Sequence, residues 1–174
     1  MQHSDGGWGL SGRDDSRIPT TSLAVTLLPS LANQAAMRWL IQEWERDLRS
    51  KVKLTYKGGF LLMALAAHRD LLPAPQLVEQ TIEYLAAEQN LDGGFGPWRG
   101  HPIGSDPWST GITLVGLTSW PEAVDARLIQ RAVSWLCDTQ LESGLWAYHF
   151  IDEGSAYAYW GLSRAVEYLE GLAR

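Results

Sequence analysis

The side chains in this sequence that could do chemistry are carboxylates set beside aromatic rings. Asp106 stands in HPIGSDPWSTG, between His101 and Trp108, just ahead of an apolar segment of helical length. Asp14 and Asp15 precede a similar segment early in the chain, and Asp152 and Glu153 precede another late in it. A carboxylic acid kept neutral by apolar surroundings can act as a general acid. Aromatic faces stabilise cations, and Phe60, Trp108, Tyr157, Tyr159 and Trp160 are the rings able to line one space, with His101 alongside. The competing reading is structural: Asp106 caps its helix and the rings fill core.

Other chemistry is thinly represented. All three lysines, Lys51, Lys53 and Lys57, fall in SKVKLTYKGG (50–59), next to Arg49. Cations and helix N-termini suit phosphates, so this stretch reads either as a diphosphate-binding loop or as a solvated loop. Cys137 is the single cysteine. No internal disulfide can form, and a cytoplasmic location is the default. Asp138, His149 and His101 do not stand at ligand spacing from Cys137, which is expected to be a buried structural residue. No metal and no cofactor are expected, because the sequence carries no P-loop, dinucleotide fingerprint or nucleophile elbow. A net charge of −6 argues against nucleic acid as a partner, since phosphate backbones require a positive field. No apolar run reaches the roughly 18 residues of a membrane span, and MQHSDGG does not open as a secretory leader. Peripheral contact with a membrane stays open.

The elements that would position these residues repeat. QHSDGGWG (2–9), QNLDGGFG (89–96) and QLESGLWA (140–147) all obey Q-x-x-[DS]-G-x-[WF]-[GA] without a gap. The wider interval between copies is that of two units with one copy lost, and periods of about 20–50 residues mark repeat architectures. The glycine permits a turn closed to bulkier residues. The aromatic two positions later can cover a helix end, and the glutamine amide can bond exposed backbone at a neighbouring helix end. The phrase therefore reads as a structural clip.

Apolar helices follow at 20–28, 109–117 and 154–162, the last continuing to 172, with a fourth equivalent at 57–65 that lacks its clip. A small residue recurs near the start of each. Amphipathic helices lie between them. The one at 32–48 shows a stripe of Met37, Leu40, Ile41 and Trp44. The one at 73–89 opens on prolines, which the first turn tolerates. The one at 120–140 is expected to begin the same way at Pro121, with Glu122 favouring its positive end. Apolar helices must be buried on most faces, and one-striped helices form an outer layer. Seven helices in this alternation predict an all-α fold: a partial α/α toroid, in one domain over residues 1–174.

The clips QHSDGGWG, EQNLDGGFGPW and TQLESGLWAYHF, with the inner phrases TTSLAVTLL and STGITLVGL, resemble the QW motifs of the squalene–hopene cyclase and terpenoid cyclase family, also called prenyltransferase/squalene oxidase repeats. The resemblance covers nearly the whole chain. It implies a terpenoid (squalene or diterpene) cyclase-like protein that acts on or binds an isoprenoid in an aromatic-lined cavity. Trp108, Tyr157, Tyr159, Trp160, Phe60 and His101 would bind substrate, and Asp106 or Asp15 would serve as acid in a protonation-initiated cyclisation. Two departures keep alternatives open. The family's D-x-D-D acid motif is missing; the nearest string is Gly12-Arg13-Asp14-Asp15, and Asp14-Asp15-Ser16-Arg17-Ile18 does not complete D-D-x-x-D. The helices suffice for about half a family ring, so a second copy or a partner chain is expected to complete it. One alternative is a non-catalytic half-toroid that binds or assembles. A second is a prenyltransferase-like subunit, although that branch's Asp–Cys–His zinc set is not matched.

Overall fold

Alternating hydrophobic patterns resolve into two layers of helices. The structure, a computed structural model, describes residues 1–71 and 74–172. Its helices are α1 (Ile18–Leu27), α2 (Gln34–Leu48), α3 (Thr55–Ala67), α4 (Pro75–Glu88), α5 (Pro107–Thr118), α6 (Ala126–Thr139) and α7 (Ile151–Leu172), with one 3-10 turn at Pro29–Leu31. The odd-numbered helices form an inner row in which α3 packs between α1 and α5, and α5 between α3 and α7. Behind them α2 rests on α1 and α3, α4 on α3, and α6 on α5 and α7. This is the all-α arrangement of an α/α-toroid-type fold.

Burial follows position in the row. In α5 every residue except Trp108 is buried, because helices flank it on three sides. The outer helices bury a single stripe, such as Leu128, Ile129, Ala132 and Leu136 in α6. In α2 the stripe ends on Trp44, whose ring is fully buried and whose indole N–H donates to Thr81 Oγ1 of α4 at 2.8 Å. The inner helix at 154–172 departs from expectation. Among the described residues α7 packs mainly on α5 and α6, so it buries one face and leaves Tyr159 71% exposed.

A second correction concerns α6. It starts at Ala126, not near Pro121, and Asp125 caps it by accepting from Arg127 N at 2.9 Å. Residues 120–125 are held elsewhere. Trp120 donates its indole N–H to Leu62 O, Arg69 lies 4.0 Å over its ring, and Glu122 pairs with Arg69 at 2.7 Å. The helix before the second clip begins at Pro75; Pro73 lies outside the described residues.

The three clips share one hydrogen-bond plan. Gly6, Gly93 and Gly144 take φ of 100°, 96° and 82°, the left-handed region that favours glycine. The amides of Gln2, Gln89 and Gln140 each donate to the carbonyl four residues on, at 2.7–2.8 Å. Closing its own turn is thus the glutamine's shared task. Gln89 also reaches Leu128 O in the first turn of α6, and Gln2 pairs with Asn33, the N-cap of α2. The ring-bearing residue is then locked to the following inner helix. Trp8 N donates to Thr21 Oγ1, Phe95 N to Thr110 Oγ1 and Trp146 N to Ser155 Oγ, each at 2.9 Å. The Trp146 indole also covers the end of α6 by donating to Leu136 O. In α3, the helix without a clip, Gly58 stands where the others carry the hydroxyl.

Small residues set the spacing of the inner row. A Cβ at Gly116 would collide with Gly59 of α3, one at Gly111 with the Tyr157 carbonyl of α7, and one at Gly161 with Gly111. These backbones therefore touch directly. Gly111→Ala should lower stability by about 3 kcal/mol, the upper range of overpacking, whereas Gly171→Ala, with open space around it, should be neutral or stabilising. Urea unfolding of both variants checks this. Thr110→Val removes the lock to Phe95 and strands a buried amide; it should cost about 1–3 kcal/mol in the same assay.

Candidate functional site

The N-terminal turns of all four inner helices open on one pocket of about 590 Å3, within the range of about 300–1,000 Å3 typical of small-molecule sites. Its walls are built in register. Residues four apart, one helical turn, supply Pro19 and Leu23 from α1, Tyr56 and Phe60 from α3, and Glu153 and Tyr157 from α7, while α5 contributes Trp108. The rings interlock in tilted and edge-to-face pairs, the latter an arrangement that aromatic quadrupoles prefer. Tyr56 lies 4.6 Å from Trp108, Trp108 5.7 Å from Tyr157, and Phe60 5.8 Å from Tyr157. Burial raises the phenol pKa of Tyr56 and Tyr157, so both stay neutral. The Trp108 indole N–H is buried without a partner. Arg17, Lys57, Glu43 and Glu153 supply the charge around this apolar space, and Lys57 is paired with Asp47 at 2.8 Å.

Asp106 occupies a different compartment. It is 6% exposed and caps α5: Oδ1 accepts from Ser109 N at 2.7 Å. Its own N–H donates to Phe95 O at 2.9 Å. Burial lifts its carboxyl above the ordinary range, against the opposing pull of the Ser109 and Trp108 amides and of His149. With Tyr148, His149, Trp135 and Trp146 it lines a separate cleft of about 440 Å3. Acid and aromatic pocket thus lie on two sides of the α5 N-terminal turn. Chemically, this cleft is a place for a carboxyl that holds its proton more tightly than a free aspartate does, beside a phenol and an imidazole.

The other residues singled out by sequence fall in several places. Phe60, Trp108 and Tyr157 come together in the pocket. Trp160 joins them through Tyr157, with 6.1 Å between ring centres. Tyr159 does not: it is two residues from Tyr157, and at about 100° per residue that places it on the opposite side of α7. His101 lies in the loop before α5, edge-on to Trp98 at 4.2 Å. Asp15 is exposed and, unlike residues 16–20, does not line the pocket. Cys137 is exposed on α6, not buried as its composition class suggested, because the buried stripe passes through Ala132 and Leu136 and leaves the next position outside. Among the described residues no three His, Cys, Asp or Glu side chains are grouped to hold a metal, and no helix is long and apolar enough to cross a membrane. Tyr56 escaped the sequence reading because its unit lacks a clip. Aligning α3 with α5 on their close-packed glycines, Gly59 and Gly111, sets Tyr56 against Trp108 and Phe60 against Ile112, and that register is the signal that finds it.

Two curated proteins resemble the chain in sequence. The chain is 27% identical to a drimenyl diphosphate synthase of Streptomyces showdoensis, over 83% of its own length and 29% of the relative's. It is 24% identical to a squalene–hopene cyclase of Zymomonas mobilis, over 88% of its own length and 29% of the relative's. The chain thus spans about 29% of the length of these curated relatives. No family model matches it. The two similarities support a terpenoid cyclase-like family.

The burial of Asp106 makes a signed prediction. Its carboxyl binds a proton more tightly folded than unfolded, where the ordinary value is 3.8. Relative to Asp106→Asn, which keeps the cap, the wild type should gain stability as pH falls toward that value and lose the gain as pH rises through the folded pKa. Denaturant unfolding across a pH series should show this slope; the reverse slope would mean that the hydrogen bonds outweigh burial. Asp106→Ala, which removes the cap, should lose about 0.5–2 kcal/mol at neutral pH.

Proposed function

We propose that this chain is a terpenoid cyclase-like protein that holds an isoprenoid in the pocket among the N-terminal turns of its inner helices. One observation carries the reading: Tyr56, Phe60, Trp108 and Tyr157 converge from three helices on one apolar space. Such faces suit a polyene chain and stabilise positive charge that develops along it. Arg17 and Lys57 at the same pocket suit a polar or anionic head. In the catalytic form of this reading, Asp106 is the proton donor, with Tyr148 and His149 beside it, and one end of the isoprenoid has to pass the α5 N-terminal turn to come within its reach.

A non-catalytic reading has its own observation. Asp106 is engaged as a helix cap and lines a cleft separate from the rings, and the sequence has no D-x-D-D string. On this reading the pocket binds an isoprenoid without turning it over.

Fluorescence titration with farnesol separates pocket from surface. The wild type should bind saturably. Tyr157→Ala should weaken binding by about tenfold, equivalent to about 1.4 kcal/mol, and Tyr159→Ala should leave it unchanged. Equal affinity in all three proteins would remove the pocket from the proposal. Product analysis with squalene and with farnesyl diphosphate then divides the two readings: a product from the wild type that disappears in Asp106→Asn supports catalysis, and saturable binding with no product supports the binding module.

A further inference from the structure

A third cleft, of about 270 Å3, is lined by Lys51, Val52, Lys53, Tyr84, Glu88, Trp98 and Arg99. It lies where one repeat unit lacks its clip. The lysine-bearing loop between α2 and α3 fills that gap, and its far end is tied to the second clip: Thr55 donates from its N–H to Pro97 O at 2.9 Å and from its hydroxyl to Gly96 O. Those bonds bring the loop against Trp98 and Arg99, so residues distant in sequence form one wall.

The electrostatics of this cleft oppose those of the molecule. In a chain of net charge −6, three cations face a single carboxylate here. That carboxylate, Glu88, is already engaged as acceptor for Arg99 N at 2.6 Å. Arg99 also donates from Nη1 to Ala87 O at 3.2 Å, which orients its guanidinium. Lys51 and Lys53 make no ion pair among the described residues. Lys53 instead stands 6.0 Å over the Tyr84 ring. The Tyr84 hydroxyl is buried without a hydrogen-bond partner, an arrangement that costs free energy unless something accepts from it. Clustered cations without ion-pair partners among the described residues describe a site for a multiply charged anion. The volume is below the range of about 300–1,000 Å3 typical of whole ligands, so the group bound is small.

We propose that this cleft binds a phosphate or diphosphate group, with Lys51, Lys53 and Arg99 as its counter-charges. The site does not depend on the isoprenoid pocket, and either can fail without the other.

Calorimetric titration with inorganic pyrophosphate tests it. The wild type should bind saturably, with affinity that falls as salt is raised. Lys53→Ala and Arg99→Ala should each weaken binding by at least about tenfold, while Lys53→Arg and Arg164→Ala, on α7 at a different cleft, should keep it. The double variant Lys51→Ala/Lys53→Ala, confined to the loop, serves if Arg99→Ala shifts the melting temperature. A second arm measures co-sedimentation with phosphatidylcholine vesicles, with and without phosphatidylglycerol. Pyrophosphate binding lost in these variants assigns the site to a soluble phosphate. Vesicle binding that needs phosphatidylglycerol and the same residues, without pyrophosphate binding, assigns it to a lipid headgroup. Absence of both, or binding indifferent to these substitutions, overturns the proposal.

Discussion

Three buried hydroxyls hold this architecture in register. Thr21, Thr110 and Ser155 stand near the start of α1, α5 and α7, and each accepts the main-chain N–H of a clip's ring-bearing residue. A buried amide without a partner is costly, so the bond fixes both the depth of the ring and the starting point of the helix. Everything nearer the axis inherits that choice. In α1, α5 and α7 the residues that wall the pocket, and Gly111 and Gly161, lie at set distances along the chain from that hydroxyl.

The pocket is therefore a property of the row and not of any single helix. No helix supplies more than part of the aromatic wall, and the closest ring pair, Tyr56 and Trp108, joins neighbouring units. Direct backbone contact at Gly59, Gly111, Gly116 and Gly161 draws α3, α5 and α7 near enough for rings on adjacent helices to touch. Bulkier residues there would spread the row and separate the rings. Packing of the wall and chemistry of the pocket thus rest on the same few small positions.

Much of this was legible in the sequence. Layer order, helix count and the clip positions follow from two patterns, the one-sided stripe and the repeated glycine phrase, because each answers to a local cause. Phe60, Trp108 and Tyr157 were legible as rings on inner helices. What stayed hidden depended on direction. Tyr157 and Tyr159 look alike in sequence, but among the described residues α7 meets the row on one face only. Asp106 carried the signature of a cap, an aspartate three residues before a helical N–H; nothing in spacing told that its cleft and the ring pocket would be divided by the turn it caps. The start of α6 was misplaced because Trp120 and Glu122 answer to Leu62 and Arg69, contacts between units that no local rule encodes.

The clips bear also on how such a chain assembles. Each closes a ring of only a few residues, and closing short loops takes little chain entropy and little time. The row of inner helices, by contrast, joins segments about forty or more residues apart, as the Thr55 to Gly96 bond does, and such contacts form slowly. A turn that is already set when an outer helix ends gives the next inner helix its direction before its partners arrive. The direction of an inner helix is thereby set by its own neighbourhood in the chain, and α3, which has no clip of its own, is tied instead to the clip that follows it.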